Sequence, residues 1–125
     1  MNNLKIYCVT DKKLDYLEDL DLLLASAGKN QLPNKYINCN EGDNINYKEE
    51  YYSELTFHYW YWKNQLNLEN TDWIGFCQKR RFWIKKSTIN KDIDKFNYNN
   101  HFLENIPEEY EKYDSIICDS ISLRG

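Results

Sequence analysis

The sequence predicts an α/β domain built on a mostly parallel sheet. Three observations predict it: short β-rich runs at 4–10, 72–77 and 113–118, helical or loop segments between them, and a burst of positive charge after the middle run. Open α/β sheets bind ligands beyond the carboxyl ends of their strands. Lys79, Arg80 and Arg81 stand at such an end, and a cationic strand end invites an anion.

The opening run LKIYCVT is short, apolar and bounded by polar residues, as a buried strand requires; Asp11, Lys12 and Lys13 follow as a loop. Over 14–27, leucines at 14, 17, 20, 23 and 24 fit helical spacing up to Gly28, which reads as a helix end, although 22–25 also suits a short strand. Residues 31–46, with Pro33, Gly42 and many asparagines, read as a long connection without regular structure.

The clearest helix spans 48–66. Leu55, Tyr59, Trp62 and Leu66 recur at spacings of four, three and four, which predicts one buried stripe, and Asn46 with Glu49 has the form of a capping box. Tyr51, Tyr52, Phe57, Trp60 and Tyr61 exceed what that stripe can hold, so some rings cover loops or face a cleft. After a break at 67–71 comes the strand DWIGFC, whose interior Gly75 calls for a close neighbour. Residues 85–105 are polar and weakly patterned, an excursion or lid, and Pro107 opens a short helix over 107–112 before the last strand. The ending SISLRG brings no covering helix, so the chain reads as part of a larger domain.

A composition 42% hydrophobic and 16% aromatic over 125 residues supplies one real core. The net charge of -4 argues against general nucleic-acid binding, which draws its affinity from many cations on phosphates; KRRFW with the tyrosines is too local a patch to reverse that. Cys8, Cys39, Cys77 and Cys118 lie far apart with no C-x-x-C pair, which predicts reduced thiols in a cytoplasmic protein and no zinc site. The amino terminus lacks a leader pattern, and no stretch approaches the ~18 apolar residues of a membrane span.

The segments KIYCVTDK, GDNIN, YSELTFHYWYWKN and DWIGFCQKRRFW together resemble the bacterial domain-of-unknown-function 4422 family, found among capsule and exopolysaccharide glycosyltransferases. The combination of SELT with YWYWKN carries most of the specificity, and the chain corresponds to the amino-terminal part of longer members. Two departures stand out: Thr10-Asp11 where the family usually has Thr-His, and Cys77-Gln78-Lys79-Arg80-Arg81 where it usually has Cys-His-Tyr-Arg-Arg. The resemblance implies a GT-A-like (Rossmann-like) partial domain that uses a nucleotide-diphosphate sugar and a glycan or lipid-linked acceptor, at the inner face of the membrane. It also implies association with a carboxy-terminal half or a partner chain. A non-catalytic fragment or a carbohydrate- or protein-binding module of the same fold is the rival expectation.

Sugar transfer from such a donor needs positive charge on the departing diphosphate. Lys79, Arg80 and Arg81 are the candidates for that charge, Thr10, Asp11, Asp43 and Asn44 for the nucleoside, and Glu54, by the resemblance, for acid/base work. Along an extended segment only one of the two arginines can face the site. A divalent Mn2+ or Mg2+ held by Asp-x-Asp is the other solution. Matches occur at Asp19-Leu20-Asp21 and Asp92-Ile93-Asp94, but the first falls in the predicted helix and the second in the polar excursion. The basic strand end therefore favours a metal-independent site, and no metal ligand is assigned.

Overall fold

The sheet consists of β1 (Leu4–Thr10), β2 (Leu23–Ser26), β3 (Tyr36–Ile37) and β4 (Trp73–Gln78) in a computed structural model that describes residues 4–29, 31–67, 69, 72–88 and 98–118. All pairings are parallel and the order is β3-β2-β1-β4, so the chain winds outward from β1 to β3 and then returns to the other side of β1 with β4. β1 is buried on both faces, which is why it reads as the unbroken apolar run IYCV rather than as an alternating one. Its alternation still sorts two cores. Ile6 and Cys8 join Leu17, Leu20, Leu24, Tyr36, Cys77 and Phe102 on one face, while Tyr7 and Val9 join Ala25, Cys39, Phe57, Trp60 and Tyr61 on the other.

Four helices accompany the sheet among the described residues: α1 (Asp15–Glu18), α2 (Glu49–Tyr52), α3 (Leu55–Asn64) and α4 (Tyr98–His101). The α/β expectation holds, with four corrections. The leucine-rich stretch 14–27 is one helical turn followed by β2, because Leu24, Ala25 and Ser26 are enclosed on both faces of the sheet, where only a strand fits. The connection 31–46 contributes the short strand β3. Residues 113–118 pair with no strand; Tyr113 and Ile117 are exposed there, at 50% and 86%. Pro107 precedes a single 3-10 turn, Glu108–Tyr110, instead of opening an α-helix.

The helix predicted over 48–66 is present in two pieces, and its seating is the reverse of the predicted one. Thr56, Phe57, Trp60 and Tyr61 are buried, whereas Leu55, Trp62 and Leu66 are exposed at 51%, 57% and 40%. Phe57 and Tyr61 form an aromatic cluster with Tyr7 and Phe76, at ring-centroid distances of 5.0 to 6.2 Å. The capping box does not form. Asn46 instead accepts the Cys39 thiol hydrogen at 3.1 Å and lies in a 3-10 turn ahead of α2.

Gly75 has the close neighbour its position calls for, since a Cβ there would stand 3.2 Å from Ile6 Cγ1 on β1. Gly28 is not a helix end but the turn after β2. Its φ of +66° suits glycine, and a Cβ would run into the Glu49 side chain. The described part of 85–105 covers the amino end of the sheet: Phe102 is buried in the first core, Ile84 bridges Phe102, and Asn99 accepts the Asp21 N–H at 2.7 Å. Residues 89–97, which include Asp92 and Asp94, and the terminal 119–125 lie outside the described residues.

Burial, and then its hydrogen bond to Tyr61, raise the Tyr7 phenol from 10.0 to about 12. An unfolded chain releases that proton first, so the stability held by Tyr7 is fully present below pH 10 and is lost as the pH climbs toward 12. We expect about 2 kcal/mol of alkaline destabilisation from this group, checked by comparing denaturant midpoints across that window for the native chain and Tyr7→Phe. An equal alkaline fall in both would refute it.

Candidate functional site

The outward and return windings diverge between β1 and β4, which is where open α/β sheets form a crevice at their carboxyl edge. A cavity of about 200 Å³ sits there, lined by Val9, Thr10, Asp11, Ala27, Ser53, Glu54, Gln78, Lys79 and Arg80. A larger cavity of about 470 Å³ lies at the amino ends of the same two strands, between Trp73, Gly75, Trp83, Tyr110 and Tyr113. Volume favours the second; chemistry favours the first. The larger one is mainly apolar and has no basic side chain in its wall.

Each wall of the crevice has a local cause. Gln78 and Arg81 exchange two backbone hydrogen bonds of 3.2 Å, which makes Lys79-Arg80 the tip of a tight turn at the end of β4. The Tyr16 hydroxyl donates to the Lys79 carbonyl at 2.6 Å and ties that turn to α1. Lys79 Nζ meets Asp11 Oδ1 at 2.8 Å. That hydrogen bond holds the Asp11 carboxyl below its ordinary value of 3.8 against the opposing effect of burial. The pair is partly exposed, so its own contribution to stability is about 1 kcal/mol or less. Thr10, buried at the strand end, donates its hydroxyl to the Lys12 carbonyl at 2.8 Å and accepts the Lys12 N–H at 3.2 Å, which shapes the loop carrying Asp11.

The other wall comes from the break between α2 and α3. Ser53 has φ 47° and ψ -123°, a conformation that costs a non-glycine residue about 1–3 kcal/mol. Three hydrogen bonds hold it: its N–H to Glu49 O at 2.8 Å, and its carbonyl from the Thr56 N–H at 3.1 Å and the Thr56 hydroxyl at 2.7 Å. The same Thr56 oxygen accepts the Gly28 N–H at 2.7 Å, joining the end of β2 to the start of α3. This bend brings Glu54 to β4. Gln78 Nε2 donates to Glu54 Oε1 at 2.7 Å and the Ser53 hydroxyl to Oε2 at 2.9 Å.

Five of the eight residues proposed from sequence, Thr10, Asp11, Glu54, Lys79 and Arg80, therefore line one crevice. Three do not. Arg81 sits at the base of the tight turn, outside the cavity wall, so one arginine faces the site because of the turn rather than through strand alternation. Asp43 and Asn44 belong to a turn folded on the far part of α3: Asp43 accepts from Tyr59 Oη at 2.9 Å and from Asn64 Nδ2 at 2.8 Å, and Asn44 Nδ2 donates to Gly42 O at 2.9 Å. Glu54 and Asn64 stand at opposite ends of α3, about 15 Å apart along a helix rising 1.5 Å per residue. Sequence reasoning missed Ser53 and Gln78. Gln78 had a signal, because it stands where the resemblance expects histidine; the strained bend at Ser53 had none.

Among the described residues no three His, Cys, Asp or Glu side chains gather into a group that could hold a metal ion. Asp19 and Asp21 lie at the amino end of β2, where their backbones engage Asn99, away from the crevice. The four cysteines are free thiols. Cys8 and Cys77 are register partners on β1 and β4, and the hydrogen bond between them, followed by burial, pushes the Cys77 thiol up. His58 is stacked on Phe76 with ring centroids 4.1 Å apart, and burial lowers its pKa. No helix among the described residues is long and apolar enough to cross a membrane.

A parallel sheet covered on both faces, with a charged crevice at its switch point, defines a Rossmann-like α/β domain. The family model described as a domain of unknown function (DUF4422) matches residues 5–123, nearly the whole chain, and the chain belongs to that family. A search of the curated proteins and a search of the solved structures each found no match.

Proposed function

We propose that this domain binds a nucleotide-diphosphate sugar and transfers the sugar to a glycan or lipid-linked acceptor during synthesis of a bacterial surface polysaccharide, at the inner face of the membrane. The observation that carries the reading is the meeting of Lys79, Arg80 and Asp11 with Glu54 in one crevice at the switch point. Arg80 takes part in none of the ion pairs among the described residues, so its guanidinium is available to phosphate oxygens. The cavity is smaller than the ~300–1,000 Å³ of drug-sized ligand sites, which suits the charged centre of such a donor, with sugar and nucleoside extending along the surface.

In the step we infer, an acceptor hydroxyl oxygen attacks the anomeric carbon, and the bond from that carbon to the diphosphate breaks with its electron pair going to the leaving oxygen. Arg80 and Lys79 meet the charge that develops there. The hydroxyl proton passes to Glu54, whose two oxygens are each oriented by one donor and keep a lone pair for it.

Titrating the chain with a panel of nucleotide-diphosphate sugars, with and without Mn2+, tests the reading. Arg80→Ala is expected to weaken the best ligand about tenfold to a hundredfold, the equivalent of a hydrogen bond to a charged group of about 1.5–3 kcal/mol. Arg81→Ala should leave it within about twofold, since that residue stands outside the cavity wall. Full retention of affinity in Arg80→Ala, or an equal loss in both variants, would overturn the site.

A further inference from the structure

The crevice wall carries two cations and two carboxylates, Lys79 and Arg80 with Asp11 and Glu54, so its formal charges cancel. The two cations are not equally available. Arg80 is exposed and takes part in none of the ion pairs among the described residues, whereas Lys79 Nζ is held by Asp11 Oδ1 at 2.8 Å with its side chain only 24% exposed. That pair bridges the two strand ends that flank the crevice, since Asp11 follows β1, Lys79 follows β4, and Val9 and Gln78 just before them are register partners.

The bridge is built to open without moving the backbone. The Tyr16 hydroxyl fixes the Lys79 carbonyl at 2.6 Å, and Gln78 and Arg81 fix the turn around it. Asp11 therefore holds only the side chain of Lys79, a flexible four-carbon stem that swings while the turn stays in place. The Asp11 side chain is 51% exposed, and Lys12 beside it also favours its charged form, so the carboxylate released from Lys79 stays accommodated by water and by Lys12.

We propose that the Asp11–Lys79 ion pair is an autoinhibitory latch: Asp11 occupies Lys79 in the empty crevice, and a diphosphate opens the pair by drawing Lys79 Nζ onto its own oxygens beside Arg80. This rests on the reading of the crevice as a diphosphate site and adds how that site is held at rest. Carboxylate and phosphate compete for one ammonium through the same charge-assisted hydrogen bonds. A diphosphate carries more charge and more acceptor oxygens than one carboxylate, and it meets Arg80 at the same time, so it displaces Asp11.

Calorimetric titration of the chain with inorganic pyrophosphate tests the latch, because this probe has no nucleoside for Asp11 to touch. Asp11→Asn is expected to tighten pyrophosphate binding about three- to fivefold, the size of a partly exposed ion pair that no longer has to be broken. Asp11→Ser, equally neutral, should repeat the gain. In the Lys79→Met background the effect of Asp11→Asn should fall below about twofold. Melting temperatures should stay within a few degrees of the native chain, as expected for a pair of this exposure, so the affinities compare folded proteins. Unchanged or weaker binding in both Asp11 variants would overturn the latch. So would a gain of equal size in the Lys79→Met background, which would make Asp11 a general source of repulsion. Failure of the crevice reading looks different: the native chain then binds no pyrophosphate, or Arg80→Ala leaves its affinity unchanged, and the latch is overturned with it.

Discussion

Phe57→Ala will destabilise the domain by about 3–5 kcal/mol, a large part of the 5–15 kcal/mol that holds a typical domain together. Phe57 is fully buried, and its ring lies between Tyr7 at 5.7 Å, Trp60 at 5.7 Å, Tyr61 at 6.2 Å and Phe76 at 6.2 Å. Removing it opens a void between α3 and the sheet that these rings cannot all collapse into, so a cavity cost adds to the lost burial. Leu55→Ala, two residues earlier and 51% exposed, should fall within about 0.5 kcal/mol of the native chain. Denaturant unfolding of the two variants decides which face of α3 meets the sheet. A Leu55 effect larger than the Phe57 effect would mean that α3 is seated the other way round, and with it both the placement of Glu54 and the exposed aromatic face would fall.

The second large effect belongs to Glu54. Glu54→Gln keeps the shape and one acceptor oxygen but cannot take a proton, so we expect sugar transfer, or hydrolysis of the donor with water as acceptor, to drop about 10²–10⁴-fold. Donor affinity should change little, because the phosphate-facing groups are Arg80 and Lys79. Release of nucleoside diphosphate and calorimetric titration of the donor measure the two quantities separately. A rate that survives the substitution would remove Glu54 from the chemistry while leaving the anion site standing. Loss of affinity in step with rate would make Glu54 a donor-binding group instead.

How much of this was legible beforehand varies by element. β1 and β4 could be read because each is a short apolar run ended by charged or polar residues, and their carboxyl ends then located Thr10, Asp11, Lys79 and Arg80. β2 was ambiguous for a physical reason: in the run from Leu22 to Ala25 apolar residues follow one another without a gap, so helical and strand periods fit equally well. Asp43 and Asn44 follow Gly42 in a turn-forming GDNIN segment, and nothing in such a segment says which end of the next helix it will fold against.

The chain itself determined that a parallel α/β sheet forms, that its fourth strand ends in cations, and that an aromatic helix covers it. All three follow from local patterns of burial and charge. Tertiary structure alone decided which side of α3 is hidden, since Leu55-Tyr59-Trp62 and Phe57-Trp60-Tyr61 are both apolar and only the shape of the sheet, with Tyr7 and Phe76 waiting on it, selects between them. It also decided the contacts that make the crevice chemical: Glu54 with Gln78 across 24 residues, and Asp11 with Lys79 across 68. Such pairs depend on how far strands lie apart in space, and spacing along a sequence does not encode that distance.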